Sequence, residues 1–172
     1  MIEKWQERYS AAHQGPPQEP DPLIIRAARE LPAGHALDLG CGAGRHALYL
    51  AQNGWSVTAI DGASSALALF DAPGITKLCL DLEKAVPSLA ADLIVDTLYL
   101  DRNLFPLMKE QAQAVALVLP TPDDDPEVRP MNPAFLIGDH ELAAAFKGWR
   151  ILRQGIRKQK GKQRLMEFLA TR

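Results

Sequence analysis

Short apolar runs alternate with amphipathic stretches along most of the chain. The apolar runs have the length and composition of strands, which we expect at 36–39, 55–61, 75–80, 91–99 and 114–119. The amphipathic stretches have the apolar spacing of helices, which we expect at 23–31, 45–53, 63–70 and 104–113. Strand and helix in alternation predict a mostly parallel sheet with helices on both faces.

The N-terminal segment departs from this alternation. Ile2, Trp5 and Tyr9 have helical spacing, but the proline-rich residues 15–22 cannot continue a helix. We therefore expect residues 1–20 to form a hinged segment. It either packs on the core as an ordinary helix or acts as a lid over a ligand.

The C-terminal segment predicts a closing hairpin. Asp139 is expected to cap a helix at 140–146, and residues 149–159 and 163–169 have the pattern of two antiparallel strands joined by a glycine-containing turn. The chain is thus expected to form one domain, 1–172. Its predicted fold is a Rossmann-like, doubly wound, mostly parallel seven-stranded sheet with a C-terminal antiparallel hairpin.

A glycine-rich turn follows the first predicted strand. Gly40, Gly42 and Gly44 occupy every second position after Asp38. Glycine suits a turn whose backbone angles exclude a side chain and whose bare backbone meets a ligand. The second predicted strand ends in Asp61, at the distance from which an acid reaches ribose hydroxyls in a doubly wound sheet. The pattern predicts a site for an adenosine cofactor.

The residues around the turn favour one class of cofactor. A dinucleotide site would need a glycine where Arg45 stands, so that the helix packs closely beneath a pyrophosphate. Asp38 would repel a pyrophosphate but could receive an ammonium group. A cofactor with an amino-acid tail and no phosphate fits better, which describes S-adenosylmethionine. A nicotinamide-dependent oxidoreductase is the disfavoured alternative.

Several motifs also resemble a known family. Residues 38–45 (DLGCGAGR) are similar to motif I of class I S-adenosylmethionine-dependent methyltransferases, and 60–61 to the acid after their second strand. Residues 4–9, 44–51 and 99–102 resemble the tellurite-resistance and thiopurine-type branch. The resemblance implies in-line methyl transfer to a small soft nucleophile: a thiol, a thiopurine or a chalcogen oxyanion. The alternative is a catalytically silent S-adenosylmethionine-binding protein that acts through partners.

The expected cofactor site combines the turn with the ends of the strands. Asp81 follows the third strand, where it suits either an amine of adenine or the cap of a helix. The expected cofactor-binding residues are Asp38, Gly40, Cys41, Gly42, Arg45, Asp61, Gly62, Asp81, Leu82, Asp96 and Thr97.

The acceptor side is expected at the end of the fourth strand, because ligands of parallel sheets gather outside the carboxyl ends. Asp96 and Thr97 lie there, and Asp96 equally suits a structural acid. Arg102 equally suits a surface cation. In-line transfer mainly needs orientation and exclusion of water, so no particular catalytic base is expected. The acceptor-side candidates are Tyr9, His13, Tyr99 and Arg102.

The two cysteines change this picture little. Cys41 and Cys79 have no metal-ligand spacing, and no metal site is expected. We interpret Cys41 as a small residue that the turn accommodates. The alternative is a redox or metalloid-binding role for Cys41.

Charge is distributed unevenly along the chain. Residues 147–172 carry nine Lys or Arg against Glu167 alone, a charge of +8, and the net charge of −2 leaves −10 for the rest. A basic tail suggests either nucleic acid or a solvated edge hairpin, in which cations deter edge-to-edge association. The hairpin interpretation is favoured, so a small-molecule acceptor is expected rather than nucleic acid. The proline-rich loop 120–133 is either a pocket wall or a solvated acidic loop.

Targeting signals are not evident in the sequence. No apolar run is long enough to span a bilayer, so no membrane association is expected. The charged start lacks a signal-peptide core. The expected location is the cytoplasm.

Overall fold

The computed structural model of the protein describes residues 2–11 and 18–172. The strands are β1 (His35–Leu39), β2 (Ser56–Asp61), β3 (Ile75–Cys79), β4 (Leu93–Thr97), β5 (Ala114–Pro120), β6 (Arg150–Arg157) and β7 (Leu165–Thr171). The helices are α1 (Ile2–Ser10), α2 (Pro22–Glu30), α3 (Arg45–Gln52), α4 (Ser64–Leu67), α5 (Leu104–Gln111) and α6 (Glu141–Ala145). A short 3-10 turn covers Pro133–Phe135.

The seven strands form one sheet in the order β3-β2-β1-β4-β5-β7-β6. Strands β1 to β5 pair in parallel, and β7 inserts antiparallel between β5 and β6. The predicted fold, with its mostly parallel sheet and C-terminal antiparallel hairpin, is confirmed. The chain runs outward from β1 through β2 to β3 and then returns to β4 on the other side of β1. Such a reversal of strand order is where open α/β sheets bind ligands.

Alternate residues of the central strands enter two separate cores. Leu37 and Leu39 pack with Phe105 on one face of the sheet, whereas Ala36 packs with Leu50 of α3 on the other. This follows from the two-residue period of a strand. By the same period Asp38 shares the face of Ala36, so a carboxyl group stands in the layer that α3 covers.

The beginning of α2 follows the predicted capping pattern. The side chain of Asp21 accepts the Leu23 amide at 2.9 Å, and Pro22 occupies the first helical position. A carboxylate here satisfies an amide that has no partner within the helix. Asp21 is also buried, so its negative charge needs a cation as well.

Three predicted elements differ from those observed. Strand β4 ends at Thr97, because Leu98 adopts a φ of +68° that no strand continues through. Helix α4 is only one turn long. The predicted cap at Asp139 is wrong: α6 begins after His140, and the longer side chain of Glu141 reaches back to accept the Gly138 amide at 3.0 Å.

The basic C-terminal hairpin pairs with the acidic loop that follows β5. Lys158 lies 2.8 Å from Asp123 and 2.9 Å from Asp125, and Asp123 also accepts the Arg164 amide at 2.6 Å. The interpretation of both segments as merely solvated was therefore incomplete. Lysines of the hairpin thus neutralise part of the negative charge of the loop.

A buried ion-pair network joins this hairpin to the start of α2. The guanidinium of Arg157 donates to both carboxylate oxygens of Asp21, at 2.9 and 2.8 Å. Its Nε donates to Glu167 at 2.9 Å. Asp21 is 6% exposed and Glu167 8%, so Arg157 joins two carboxylates that are withdrawn from water. Glu167 also pairs with Arg153 at 2.9 Å, whereas the Asp21 carboxylate depends on Arg157.

Replacing Arg157 tests this dependence. Arg157→Met keeps most of the aliphatic stem but leaves the buried Asp21 carboxylate without its cation and Glu167 with Arg153 alone, so the free energy of unfolding should fall by roughly 2–4 kcal/mol. Urea denaturation at neutral pH measures it. As a matched control, Lys160 pairs with Glu127 while 85% exposed, and Lys160→Met should change stability by less than about 0.5 kcal/mol. Equal effects of the two substitutions would contradict the structural role of Arg157.

Candidate functional site

The glycine turn between β1 and α3 is built from left-handed backbone. Gly40, Gly42 and Gly44 have φ values of +64°, +54° and +80°. A Cβ on Gly42 would also collide with the hydroxyl of Tyr9. Only glycine meets both conditions at that position, and the turn therefore presents bare backbone beside α1.

Asp61 fixes the end of β2 to this turn. One of its carboxylate oxygens accepts the Gly42 amide at 2.9 Å, and the other accepts the Ala63 amide at 2.8 Å. The acids predicted from the two strand ends thus lie in one site: Asp38 beneath the turn and Asp61 beside it. Gly62 follows directly, with the side chain of Ile2 against it.

Asp38 is buried without a partner. The residue is 1% exposed and neither carboxylate oxygen makes a hydrogen bond within the described part of the chain. Burial raises the pKa of Asp38 to about 7; the nearby Ala47 amide and the Arg45 guanidinium offset part of this, and Asp61 adds to it. An unsatisfied buried carboxyl group destabilises a fold. A ligand that donates hydrogen bonds would remove that cost.

His46 connects the helix after the turn to the end of β4. Its imidazole is 2% exposed, and Nε2 accepts the Asp21 amide at 3.2 Å. Burial, followed by the charge of Arg45, lowers the pKa of His46 to about 4, so the ring is neutral. Since Nε2 accepts, Nδ1 carries the proton and faces the Thr97 hydroxyl at 3.4 Å. The ring therefore orients Thr97.

His46 is not among the site residues that the sequence predicted. Its partners are 25 and 51 residues away along the chain. Its place in the first turn of the helix after Gly44 was the one local signal.

The end of β4 adds a second buried carboxyl group. Asp96 is 1% exposed, and its Oδ1 accepts the Tyr99 amide at 3.3 Å. Burial, and to a smaller degree the charge of Asp38, raises the pKa of Asp96 well above its usual range. This hydrogen bond agrees with the interpretation of Asp96 as a structural acid. A contact between Asp96 and the methyl acceptor stays a prediction.

Tyr99 packs directly against the glycine turn. Its Cβ would lie 3.2 Å from a Cβ built on Gly40. Burial raises the pKa of Tyr99 to about 12, with further contributions from the surrounding carboxylates. The structure thus brings this acceptor-side candidate to the expected site.

Asp81 and Leu82 lie after β3. Asp81 accepts the Glu83 amide at 3.1 Å and pairs with Lys84 at 3.0 Å, so it caps a turn. The predicted helix cap is wrong, because no described helix lies between β3 and β4. Leu82 is buried in the core. Contact with adenine stays a prediction for both.

Cys41 lies inside the turn. Its thiol is buried, 3.7 Å from the Gly42 carbonyl. Burial raises the pKa of the thiol well above its usual range, which disfavours the reactive thiolate. The small-residue interpretation fits these surroundings better than a redox role.

Arg102 forms an ion pair at the surface, which agrees with its interpretation as a surface cation, and a contact with the acceptor stays a prediction. Its guanidinium pairs with Glu141 and donates to the carbonyls of Ala134 at 2.9 Å and Leu136 at 2.7 Å. It therefore anchors the loop after β5. The acceptor-side candidate His13 lies outside the described residues.

Helix α1 lies over α4 beside the turn. Gln6 donates to the Ser64 hydroxyl at 3.1 Å and accepts the Ser65 hydroxyl at 2.9 Å through its carbonyl. No residue of α1 is fully buried. Burial raises the pKa of Tyr9, and Asp61 raises it further. The helix is thus placed at the site by a few polar contacts.

The described residues include no group of three or more His, Cys, Asp or Glu placed to hold a metal ion. Among the described helices, none combines the length and the hydropathy of a membrane span.

The comparisons with known proteins agree with the sequence motifs. A family model described as tellurite resistance protein TehB matches residues 18–155. Two curated relatives from Haemophilus influenzae strains, both called probable S-adenosyl-L-methionine-dependent methyltransferase TehB, are 28% and 26% identical over 144 residues. These alignments cover 75% of this chain and 50% of each relative. The chain therefore spans about half the length of the curated relatives it matches.

Solved structures show the same fold. The crystal structure of TehB from Haemophilus influenzae superposes with a TM-score of 0.75 at 23% identity, covering 97% of this chain and 66% of that one. The N-methyltransferase NodS from Bradyrhizobium japonicum, in complex with S-adenosyl-L-homocysteine, gives 0.69 at 15% identity, covering 99% and 98%. At these identities the likeness concerns the fold alone.

The buried Asp38 predicts a distinctive pH dependence of stability. Its pKa of about 7 in the folded protein exceeds the usual 3.8, so the folded state binds the proton more tightly. Its contribution is therefore fully present below about pH 4 and is lost as pH rises to about 7. We therefore compare the free energy of unfolding of Asp38→Asn with that of the wild type. Between pH 4 and pH 8 this difference should shift in favour of the variant by on the order of 3 kcal/mol.

Urea denaturation across this pH range measures that gain. The exposed Asp124 supplies the matched control, because Asp124→Asn should leave the pH dependence unchanged. A gain for Asp38→Asn that stays constant with pH would show that Asp38 is ionised throughout.

Proposed function

The chain belongs to the TehB family of tellurite resistance proteins, and we propose that it is an S-adenosylmethionine-dependent methyltransferase. Its proposed acceptor is a small soft nucleophile: a thiol, a thiopurine or a chalcogen oxyanion. The observation that carries the proposal is the unpartnered, buried carboxyl group of Asp38 beneath a turn of bare backbone. The curated relatives named as probable methyltransferases support it.

The proposed cofactor matches the polar groups around the turn. The ammonium group of a methionine tail supplies the donors that Asp38 lacks, and the positive charge favours the ionised carboxylate. Asp61, already fixed by the Gly42 and Ala63 amides, has further lone pairs for ribose hydroxyls. Asp81 and Leu82 stand after β3, where we propose that adenine lies.

The proposed methyl transfer needs little from the protein beyond the orientation of donor and acceptor. When bound, S-adenosylmethionine supplies a methyl group on an activated sulfonium leaving group. The end of β4 faces this place, with Thr97 oriented by His46 and Tyr99 packed on the turn. These residues hold the acceptor in line and help to exclude water.

Helix α1 is the proposed lid. Tyr9 touches the turn at Gly42, and Ile2 touches Gly62, so the helix covers the side of the site formed by β1 and β2. Its few contacts allow it to open without disturbing the core.

Titration calorimetry with S-adenosylmethionine tests the proposed site. Asp61→Ala removes the proposed ribose acceptor and one anchor of the turn, so binding should weaken by roughly 1–3 kcal/mol. The matched control Asp124→Ala should bind like the wild type, and NAD should not bind. Unchanged affinity in Asp61→Ala would refute the assignment. Binding without turnover of any acceptor would support a silent binding protein instead.

Hydrogen exchange tests the proposed lid. Because α1 buries no residue fully, its amides should exchange readily in the free protein. Saturating S-adenosylhomocysteine should slow exchange in residues 2–10 by about tenfold or more, as measured by mass spectrometry. Exchange in α6 provides an internal reference that should not change. Equal exchange in α1 with and without the ligand would exclude a lid.

A further inference from the structure

Leu98 has a strained backbone at the centre of the proposed site. It is the one residue other than glycine, among those described, with a positive φ, at +68°. A leucine in this left-handed conformation is a steric outlier. The side chain gains no burial in return, since Leu98 is 56% exposed. Neither propensity nor packing explains a leucine at this position.

The neighbours of Leu98 place it beside the glycine turn. Thr97 is oriented by His46 from the helix that follows the turn, and Tyr99 packs against Gly40. The Leu98 amide donates to the Val118 carbonyl of β5 at 2.8 Å. Leu98 is thus held from three sides at the carboxyl end of β4, with an apolar side chain turned outward.

The next strand adds further apolar surface at the same edge. The loop after β5 carries Met131 at 39% exposure and Phe135 at 41%. Arg102, just beyond the end of β4, anchors this loop through the carbonyls of Ala134 and Leu136. Exposed apolar side chains therefore follow both β4 and β5.

Two cations near this edge are already engaged. Lys84 pairs with Asp81, and Arg102 pairs with Glu141. An oxyanion binds best to unpaired cations or convergent donors, and neither of these two side chains is unpaired.

We propose that Leu98 contacts an apolar portion of the methyl acceptor and that the acceptor is a thiol with an apolar body rather than a chalcogen oxyanion, which has none. This inference rests on the proposed function and selects among its acceptors. In the reaction the thiol sulfur forms a bond to the methyl carbon. The carbon–sulfonium bond breaks with its electron pair remaining on the departing sulfur, and the thiol proton passes to water.

Steady-state kinetics with a series from ethanethiol to hexanethiol, with thiophenol and with selenite tests this inference. In the wild type kcat/KM should rise by about twofold or more per added methylene, because each buried methylene contributes to binding. Selenite should be a poor acceptor. Leu98→Asn should lower kcat/KM for hexanethiol by about tenfold and for ethanethiol much less, while the Kd for S-adenosylmethionine is unchanged.

Two further measurements separate contact from folding. Asn tolerates the left-handed conformation better than Leu, so Leu98→Asn should raise Tm by roughly 1–4 °C. The matched control is Ile151, a 42% exposed aliphatic residue at the start of β6. Ile151→Asn should leave the chain-length dependence intact.

The outcomes distinguish this inference from the proposed function. Failure to bind S-adenosylmethionine would overturn the proposed function. Three results would overturn this inference alone. The first is a protein that binds S-adenosylmethionine but methylates no thiol, and the second is a preference for selenite over thiols. The third is a Leu98→Asn variant whose kcat/KM depends on thiol chain length in the same way as that of Ile151→Asn.

Discussion

The site depends on one carboxylate that joins two strand ends. Asp61 accepts the amides of Gly42 and Ala63, so the end of β2 and the turn after β1 hold each other in place. This bond fixes left-handed glycine backbone directly above the buried Asp38. Because β4 lies on the other side of β1, its end completes the same site. This junction sets the positions of the glycine turn and of Asp61 beside it.

Buried carboxylates elsewhere in the fold show how unusual Asp38 is. Asp21 and Glu167 are almost as deeply buried, yet Arg157 reaches both with short hydrogen bonds. Asp38 has no such partner among the described residues. The fold thus pairs its structural charges but leaves the carboxyl group of Asp38 without a hydrogen-bond partner at the edge where ligands bind. This lowers the stability of the folded state. A cationic ligand group restores it, which links the destabilising feature to the proposed function.

Local patterns predicted the sheet and the glycine turn well. The apolar period of β1 and β5 dictates which face each side chain enters, and the glycine spacing required the turn. Other features depend on contacts between distant residues. His46 gains its role from Asp21 and Thr97, and Leu98 is held by Val118 of the next strand. The partner of Arg102 could not be predicted, because Glu141 approaches it only in the folded chain.

The most direct test is a crystal structure of the protein with S-adenosylhomocysteine. The account predicts the amino group of the ligand within hydrogen-bond reach of Asp38, directly or through one water, and its ribose hydroxyls on Asp61. The ligand backbone should lie along Gly40 and Gly42. A ligand bound at another edge of the sheet, or one whose amino group leaves Asp38 without a partner, would contradict it.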